Sequence, residues 1–284
     1  MQDGVTYATQ SSFQDALVAL GASLSIVDAV LDDSQASRPS QASQSVGFAL
    51  VRPPGHHATA DTPLGFCLFN NIAIAAKYAQ KYHDIQRILI VDFDVHNGNG
   101  TCETFWEDDS VMVIDVHEES TVYPSPEFIP SEEKDIGSGR GMGYTINVPF
   151  PRYAGHESVV MLWEQVVIPA ARRFQPQAIM VSAGYDGHVM DPFQLLQYED
   201  RTYYYMTSTL KALADELCQG RLMLFLEGGY DLKALGSGVT ETWRALLGEE
   251  PGERTVGGMS VVPEKEPVQE VQALIQRLKD IHGL

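Results

Sequence analysis

The sequence predicts an α/β fold, a three-layer α/β/α arrangement built on a mostly parallel sheet. Three observations predict it. Short apolar runs of strand length recur between stretches whose apolar residues have helical spacing. Those runs are unbroken rather than alternating, as strands covered on both faces are. Polar residues of reactive type gather just after the runs, where open α/β sheets bind their ligands.

Taken in order, residues 13–31 read as a helix and the Ser/Gln-rich stretch 34–45 as a solvated loop. A buried strand covers 46–51, and an alanine-rich helix covers 70–82. A strand at 88–94, a short helix at 101–106, and strands at 111–116 and 144–148 come next. The alternation is then regular: helix 156–174, strand 178–182, helix 201–218, strand 222–226, helix 236–247. Val268, Val271, Leu274, Ile275, Leu278 and Ile281 mark a terminal amphipathic helix. No internal repeat is visible.

Composition narrows the function. The 284 residues fit one large domain or at most two, and the chain is read as a single domain over 1–284. Nineteen Lys+Arg against 38 Asp+Glu give a formal charge of −19, which excludes the basic footprint that direct nucleic-acid binding needs. Cys67, Cys102 and Cys218 are too few and too scattered for a disulfide framework or a cysteine-rich zinc site. No unbroken apolar run approaches the roughly 18 residues of a membrane span, and residues 1–10 lack the pattern of a signal peptide. The expectation is a soluble, intracellular protein.

Four strand exits carry the chemistry. In ILIVDFDVHNGNG (88–100), Asp92, Asp94 and His96 are spaced two apart, so strand periodicity sets neighbours on one face about 6.6 Å apart. Two such side chains can converge on one metal ion, and three ligands of this type leave a zinc ion its open fourth position. RPPGHH (52–57) places His56 and His57 in a loop of the same rim, as a general base and its electrostatic partner. VSAGYD (181–186) offers Asp186 as a third ligand, although taken alone it reads as a tight turn with a helix cap. In LEGGY (226–230) two glycines bend the backbone and leave Tyr230 over the end of the sheet, where a phenol can donate to a developing oxyanion. Together they point to metal-dependent hydrolysis of a carbonyl compound.

The motifs RPPGHH, GFCLFNN, DFDVHNGNGT, SAGYDGHVMDP and LEGGYD resemble those of the zinc-dependent histone deacetylase family, closest to its class II branch, over residues 3–248. Residues 249–284 are left as a tail and helix. The resemblance implies the arginase/deacetylase fold with one parallel, eight-stranded sheet, and removal of acetyl groups from lysine side chains of histone or non-histone proteins. It also admits a deacetylase of small acetylated amines and a truncated, non-catalytic regulatory relative. By motif position, Asp94, His96 and Asp186 resemble the Zn2+ ligands, and His56 and His57 the paired catalytic histidines, with His57 as base and acid. Tyr230 resembles the tyrosine that polarises the acetyl carbonyl, and Asp92 and Asn99 the partners that orient the two histidines.

Gly65, Phe66, Tyr123 and Phe193 match the walls and rim of a narrow acyl-lysine tunnel. Phe193 stands where polyamine-specific relatives carry a glutamate, which argues against a polyamine substrate. The resemblance also implies a structural K+ beneath the zinc strand, held by backbone carbonyls near Asp92, Asp94 and His96. Two departures from the family pattern stand out. Asn97 replaces a usual histidine, and the start at the point matching Asp3 implies a missing strand and rim loop, which bares a sheet edge. Glu118, Glu119, Glu132, Glu133 and Asp135 fall between the metal strand and Tyr144, so an acidic rim is expected. Its partner is then an acetylated, Lys/Arg-rich protein or peptide, with no nucleic acid and no membrane; the oligomeric state stays open. A cytoplasmic or nuclear location follows, with a plastid or mitochondrion left open.

Overall fold

The computed structural model describes residues 4–32, 46–119, 131–193, 195–252 and 264–284. Among them, six strands form one sheet: β1 (Val46–Ala49), β2 (Ile88–Asp92), β3 (Val111–Glu118), β4 (Thr145–Phe150), β5 (Ala178–Ala183) and β6 (Leu222–Leu226). The spatial order is β1-β6-β5-β2-β3-β4, and every pairing is parallel. The helices are α1 (Ser12–Leu31), α2 (Asn71–Tyr82), α3 (Asn99–Thr104), α4 (His156–Leu162), α5 (Ile168–Phe174), α6 (Asp200–Cys218), α7 (Leu232–Leu247) and α8 (Val268–His282).

The unbroken apolar runs are explained by two cores, one on each face of the sheet. Successive side chains of a strand point to opposite faces. Ile88 and Ile90 of β2, Val111 and Val113 of β3 and Met223 and Phe225 of β6 therefore join one core. Leu89 and Val91, Met112 and Ile114, and Leu222 and Leu224 join the other. Ala-rich α2 and Val27 and Val30 of α1 close the first core; α4 to α6 and α8 close the second. Complete burial of each such aliphatic side chain stabilises by about 1.5–3 kcal/mol, which is why the middles of these strands are apolar on both faces and buried polar residues appear only toward their carboxyl ends.

Several expectations are corrected. The sheet has six strands among the described residues, not eight, and its edges are β1 and β4. Edge strand β1 is short, and its Phe48 and Ala49 are buried, with the Phe48 ring 6.1 Å from that of Trp243. The helix expected over 156–174 is interrupted by a five-residue π-helical turn, Trp163–Val167. Pro169, two residues after it, has no N–H to donate, which frees the ladder to widen there. Helix α7 begins four residues early because the Asp231 carboxylate caps it, accepting from the Lys233 and Ala234 N–H groups. Strand β3 runs two residues further than expected and buries His117 and Glu118. Glu118 is thereby removed from the rim.

Helix α1 also revises the membrane reading. Its 20 residues have a mean hydropathy of 1.5 over an 18-residue window, long and apolar enough to cross a bilayer. Interspersed Gly, Ala and Ser conceal this from a search for unbroken runs. One face of the helix packs on β1, β6 and α2, while Phe13 and Val18 stay exposed. At the other end of the chain, Glu266 completes the start of α4. Its carboxylate accepts from the N–H groups of Gly155, Glu157 and Ser158 at 2.9–3.0 Å and from the Ser158 hydroxyl at 2.7 Å. The expected Ser/Gln-rich loop (34–45) and Tyr123 fall outside the described residues.

Candidate active site

Strand order assembles the site. The motifs follow β1, β2, β5 and β6, which are far apart in sequence but adjacent in the sheet as β1-β6-β5-β2. Their carboxyl ends converge, and the reactive side chains project from the loops just beyond them.

The strand-face arrangement of Asp92, Asp94 and His96 is corrected. Strand β2 stops at Asp92, and two side-chain bends follow: Asp92 Oδ1 accepts from Asp94 N–H (3.0 Å), and Asp94 Oδ1 from His96 N–H (2.9 Å). These bends turn Asp94 and His96 toward Asp186 and leave Asp92 facing His56. The ligand atoms of Asp94, His96 and Asp186 lie within 4.8 Å of one another, and these three could hold a metal ion. His96 Nδ1 lies 3.1 Å from both Asp94 Oδ1 and Asp186 Oδ2. Backbone amides orient the two carboxylates, Gly228 N–H on Asp94 Oδ2 (2.7 Å) and Val95 N–H on Asp186 Oδ1 (3.1 Å). Only glycine fits at 228, since a Cβ there would lie 2.2 Å from Asp186 Oδ2.

The electrostatics fit a cation at this point. Burial opposes a charge on His96, yet hydrogen bonds to Asp186 and Asp94 push its pKa up to about 10. Burial and the charge of Asp94 raise Asp186 to about 6. Two buried carboxylates and an imidazole thus compete for one positive charge, and such a donor set takes a divalent cation with an open coordination position.

The two adjacent histidines are oppositely tuned. Burial disfavours a charge on His56, but Asp92, Asp94 and Glu227 outweigh it and hold the pKa well above the ordinary value. His56 Nδ1–H donates to Asp92 Oδ2 at 3.0 Å. His57 is held well below the ordinary value by burial and by the charges of His56 and His96. Its Nδ1–H donates to Asn99 Oδ1 at 2.8 Å, which puts the lone pair on Nε2. The rings are 4.0 Å apart. Gly65 packs against the second ring: at φ +55, a Cβ there would lie 2.2 Å from His57 Cδ2.

The opening is aromatic. The Tyr230 ring lies 5.3 Å from Phe193 and 6.0 Å from Phe66, and Phe193 lies 5.0 Å from His96. The Arg52 guanidinium sits 5.6 Å above the Tyr230 ring and donates to Gly229 O at 2.7 Å. Burial and the charges of Asp186 and Asp94 raise the Tyr230 pKa, so the phenol keeps its proton. A cavity of about 330 Å³ lined by Tyr7, Asp15, Arg52 and Phe66 adjoins Tyr230 on its outer side.

The structure thus brings together His56, His57, Asp92, Asp94, His96, Asn99, Asp186, Tyr230, Gly65, Phe66 and Phe193; Tyr123 lies outside the described residues. Asn97 turns away from the triad, its amide donating to Asp115 Oδ1 at 3.2 Å. Two residues escaped sequence reasoning. Glu227 is fully buried, and its Oε2 accepts from the Gly55 and His56 N–H groups at 2.6 and 3.1 Å, which fixes the histidine loop. Asp191, also buried, accepts from three N–H groups of the tyrosine loop and the Phe193 turn. The only signal for either was a carboxylate inside a Gly-rich motif at a strand exit. The expected acidic rim is mostly satisfied internally: Glu132 pairs with Lys134, Glu133 with Arg277, and Asp135 accepts from backbone N–H groups.

Comparison with known proteins agrees with this geometry. A histone deacetylase domain matches residues 1–246. The chain is 46% identical over 281 residues to histone deacetylase 14, chloroplastic, of Arabidopsis thaliana, covering 99% of this chain and 64% of that protein. It is 43% identical over 282 residues to histone deacetylase 10, chloroplastic, of Oryza sativa subsp. japonica, covering 99% of this chain and 61% of that protein. The human polyamine deacetylase HDAC10 is 38% identical over 247 residues, covering 86% of this chain and 34% of that protein. The crystal structure of the HDA15 HD domain superposes with a TM-score of 0.78 at 33% identity, covering 98% of this chain and 70% of that one. The chain therefore spans less than two thirds of the length of the two plant relatives. With a domain match over most of its length and relatives of this identity, the chain belongs to the histone deacetylase family.

Proposed function

We propose that the protein is a zinc-dependent hydrolase that removes acetyl groups from lysine side chains of proteins. The observation that carries the reading is a buried Asp94–His96–Asp186 triad faced by two oppositely tuned histidines and a protonated phenol. Asp94, His96 and Asp186 would hold a zinc ion, which when bound would supply Lewis acidity toward the water and the acetyl carbonyl. His57, neutral at pH 7 with its lone pair on Nε2, takes the proton of the attacking water and returns one to the leaving amine. His56, kept protonated by Asp92, places positive charge beside the developing oxyanion. The Tyr230 hydroxyl donates to that oxyanion, so Tyr230→Phe lowers kcat on the order of 10²–10³-fold.

Phe66 and Phe193 exclude water from the acyl stem. A phenylalanine at position 193 favours an acetyl-lysine chain over a polyamine, whose distal cation finds no carboxylate there. By the family resemblance alone, backbone carbonyls near Asp92, Asp94 and His96 would hold a structural K+ below the site. The two chloroplastic relatives support an organelle location.

The test is zinc content and turnover of the purified chain on an acetyl-lysine peptide and on N-acetylated polyamines, with and without a hydroxamate chelator. The expected result is one zinc per chain, peptide hydrolysis and inhibition by the chelator. Faster turnover of the polyamines would transfer the substrate to small amines, and a metal-free chain inert on both would favour a non-catalytic role.

A further inference from the structure

We infer that Asp191 is a positioning residue that fixes the Tyr230 phenol relative to the triad; this rests on the hydrolase reading above. The phenol has an unusual mechanical problem. It follows two glycines, Gly228 and Gly229, the second at φ +124; Gly228 N–H is bonded to Asp94 Oδ2 and Gly229 O to Arg52, but those bonds stop short of the Tyr230 amide. Rings at its sides, Phe66 and Phe193, resist sliding only weakly.

Asp191 supplies what the turn lacks. Its Oδ2 accepts from the Tyr230 N–H (2.7 Å) and the Asp231 N–H (3.1 Å), and its Oδ1 accepts from the Phe193 N–H (3.3 Å). One buried carboxylate therefore ties the loop after β5, which carries Asp186 and Phe193, to the loop after β6, which carries Tyr230. All three partners are donors, so the position requires an acceptor on both oxygens. An amide of the same shape would turn an NH2 group against at least one N–H. The phenol's distance from the triad is then set by the same residue that sets the Phe193 wall.

A plainer role is available, because Asp231 N–H lies at the start of α7 and Asp191 could serve only to satisfy it. Asp231 already caps that helix through the Lys233 and Ala234 N–H groups at 3.0 and 2.8 Å. The two roles differ in whether the effect passes through the phenol.

The experiment uses the full chain as wild type, Asp191→Asn, Tyr230→Phe and the double variant, with metal content measured in each. With the acetyl-lysine peptide, Asp191→Asn lowers kcat on the order of 10- to 100-fold and leaves KM within about twofold. In the Tyr230→Phe background the same change costs less than about twofold, because the group it positions is already gone. Independently of turnover, hydrogen exchange at the Tyr230 and Asp231 amides quickens about tenfold or more in Asp191→Asn, while the Val95 amide bonded to Asp186 does not change. An equal loss of kcat in both backgrounds overturns the inference, as does unchanged exchange at Tyr230. A wild-type chain without turnover defeats the hydrolase reading by itself, and the exchange result alone then decides whether Asp191 holds the loop.

Discussion

The floor of the site and its mouth are held by different forces. At the floor, Asp92, Asp94, Asp186 and Glu227 are at most 1% exposed, and each accepts hydrogen bonds from backbone or imidazole N–H groups. At the mouth, Phe66 and Phe193 are 37% and 41% exposed and meet Tyr230 ring to ring. A hydrogen bond fails when its angle or length changes by a little, whereas an aromatic contact tolerates sliding. The floor is therefore built to perform one reaction, and the mouth to be re-tuned for what enters. Relatives described as histone deacetylases and as polyamine deacetylases share this chain's family, as that division allows.

The largest effect that can break this comparison comes from the floor. Asp186→Ala removes one of the three proposed ligands and one of the two carboxylates that lie 3.1 Å from His96 Nδ1, so bound metal falls below about a tenth of an equivalent by elemental analysis. Full metal content in that variant would dismiss the triad. Next, Glu227→Ala frees the Gly55–His56 backbone and lowers kcat on the order of 10- to 100-fold. Glu227→Gln restores most of it, since one amide oxygen accepts the same two N–H bonds; a Gln variant as slow as Ala would mean that charge, not position, matters there. The mouth gives less. Phe193→Ala raises KM about three- to tenfold and leaves kcat within about threefold, the cost of one aromatic contact. A collapse of kcat instead would erase the distinction between floor and mouth.

A separate effect, on stability rather than on turnover, lies away from both. Burial and the Arg173 charge hold the His282 pKa at about 4, against 6.5 for the exposed side chain. Above 6.5 the folded and unfolded chains are both neutral there. As pH falls from 6.5 toward 4, the unfolded chain takes the proton first and the native state loses stability. Denaturation midpoints at pH 7 and pH 5 should therefore fall further for wild type than for His282→Leu, a difference of up to about 2 kcal/mol. Parallel midpoints would show that His282 titrates normally.

How much of this was legible in the sequence depended on periodicity. The cores of all six strands were legible because Ile88 to Val91 or Leu222 to Phe225 are apolar on both faces, a pattern only a covered sheet produces. Their ends were not, since nothing in Asp115–Val116–His117 marks a strand that continues to Glu118. The reactive groups were legible as types placed at strand exits, but the bend at Asp92 was not. Strand spacing put Asp92 with Asp94, and only the side-chain turns separate them. Glu227 and Asp191 were illegible for a further reason: a buried carboxylate that serves backbone N–H groups has no fixed partner in the sequence. The π-helical turn before Pro169 likewise follows from a missing donor, which helical spacing does not register.

The bond from Glu266 to the start of α4 has a consequence for synthesis. Helix α4 leaves the ribosome some 110 residues before the carboxylate that completes its first turn. Until Glu266 emerges, three amides and a hydroxyl at Gly155, Glu157 and Ser158 wait on water alone. The nascent chain can build the sheet and most of the site first, but the seal on this helix arrives only after both. A product cut short before residue 266 would therefore carry the reactive residues and still present a frayed helix to the cell's proteases, which gives quality control a handle on unfinished copies.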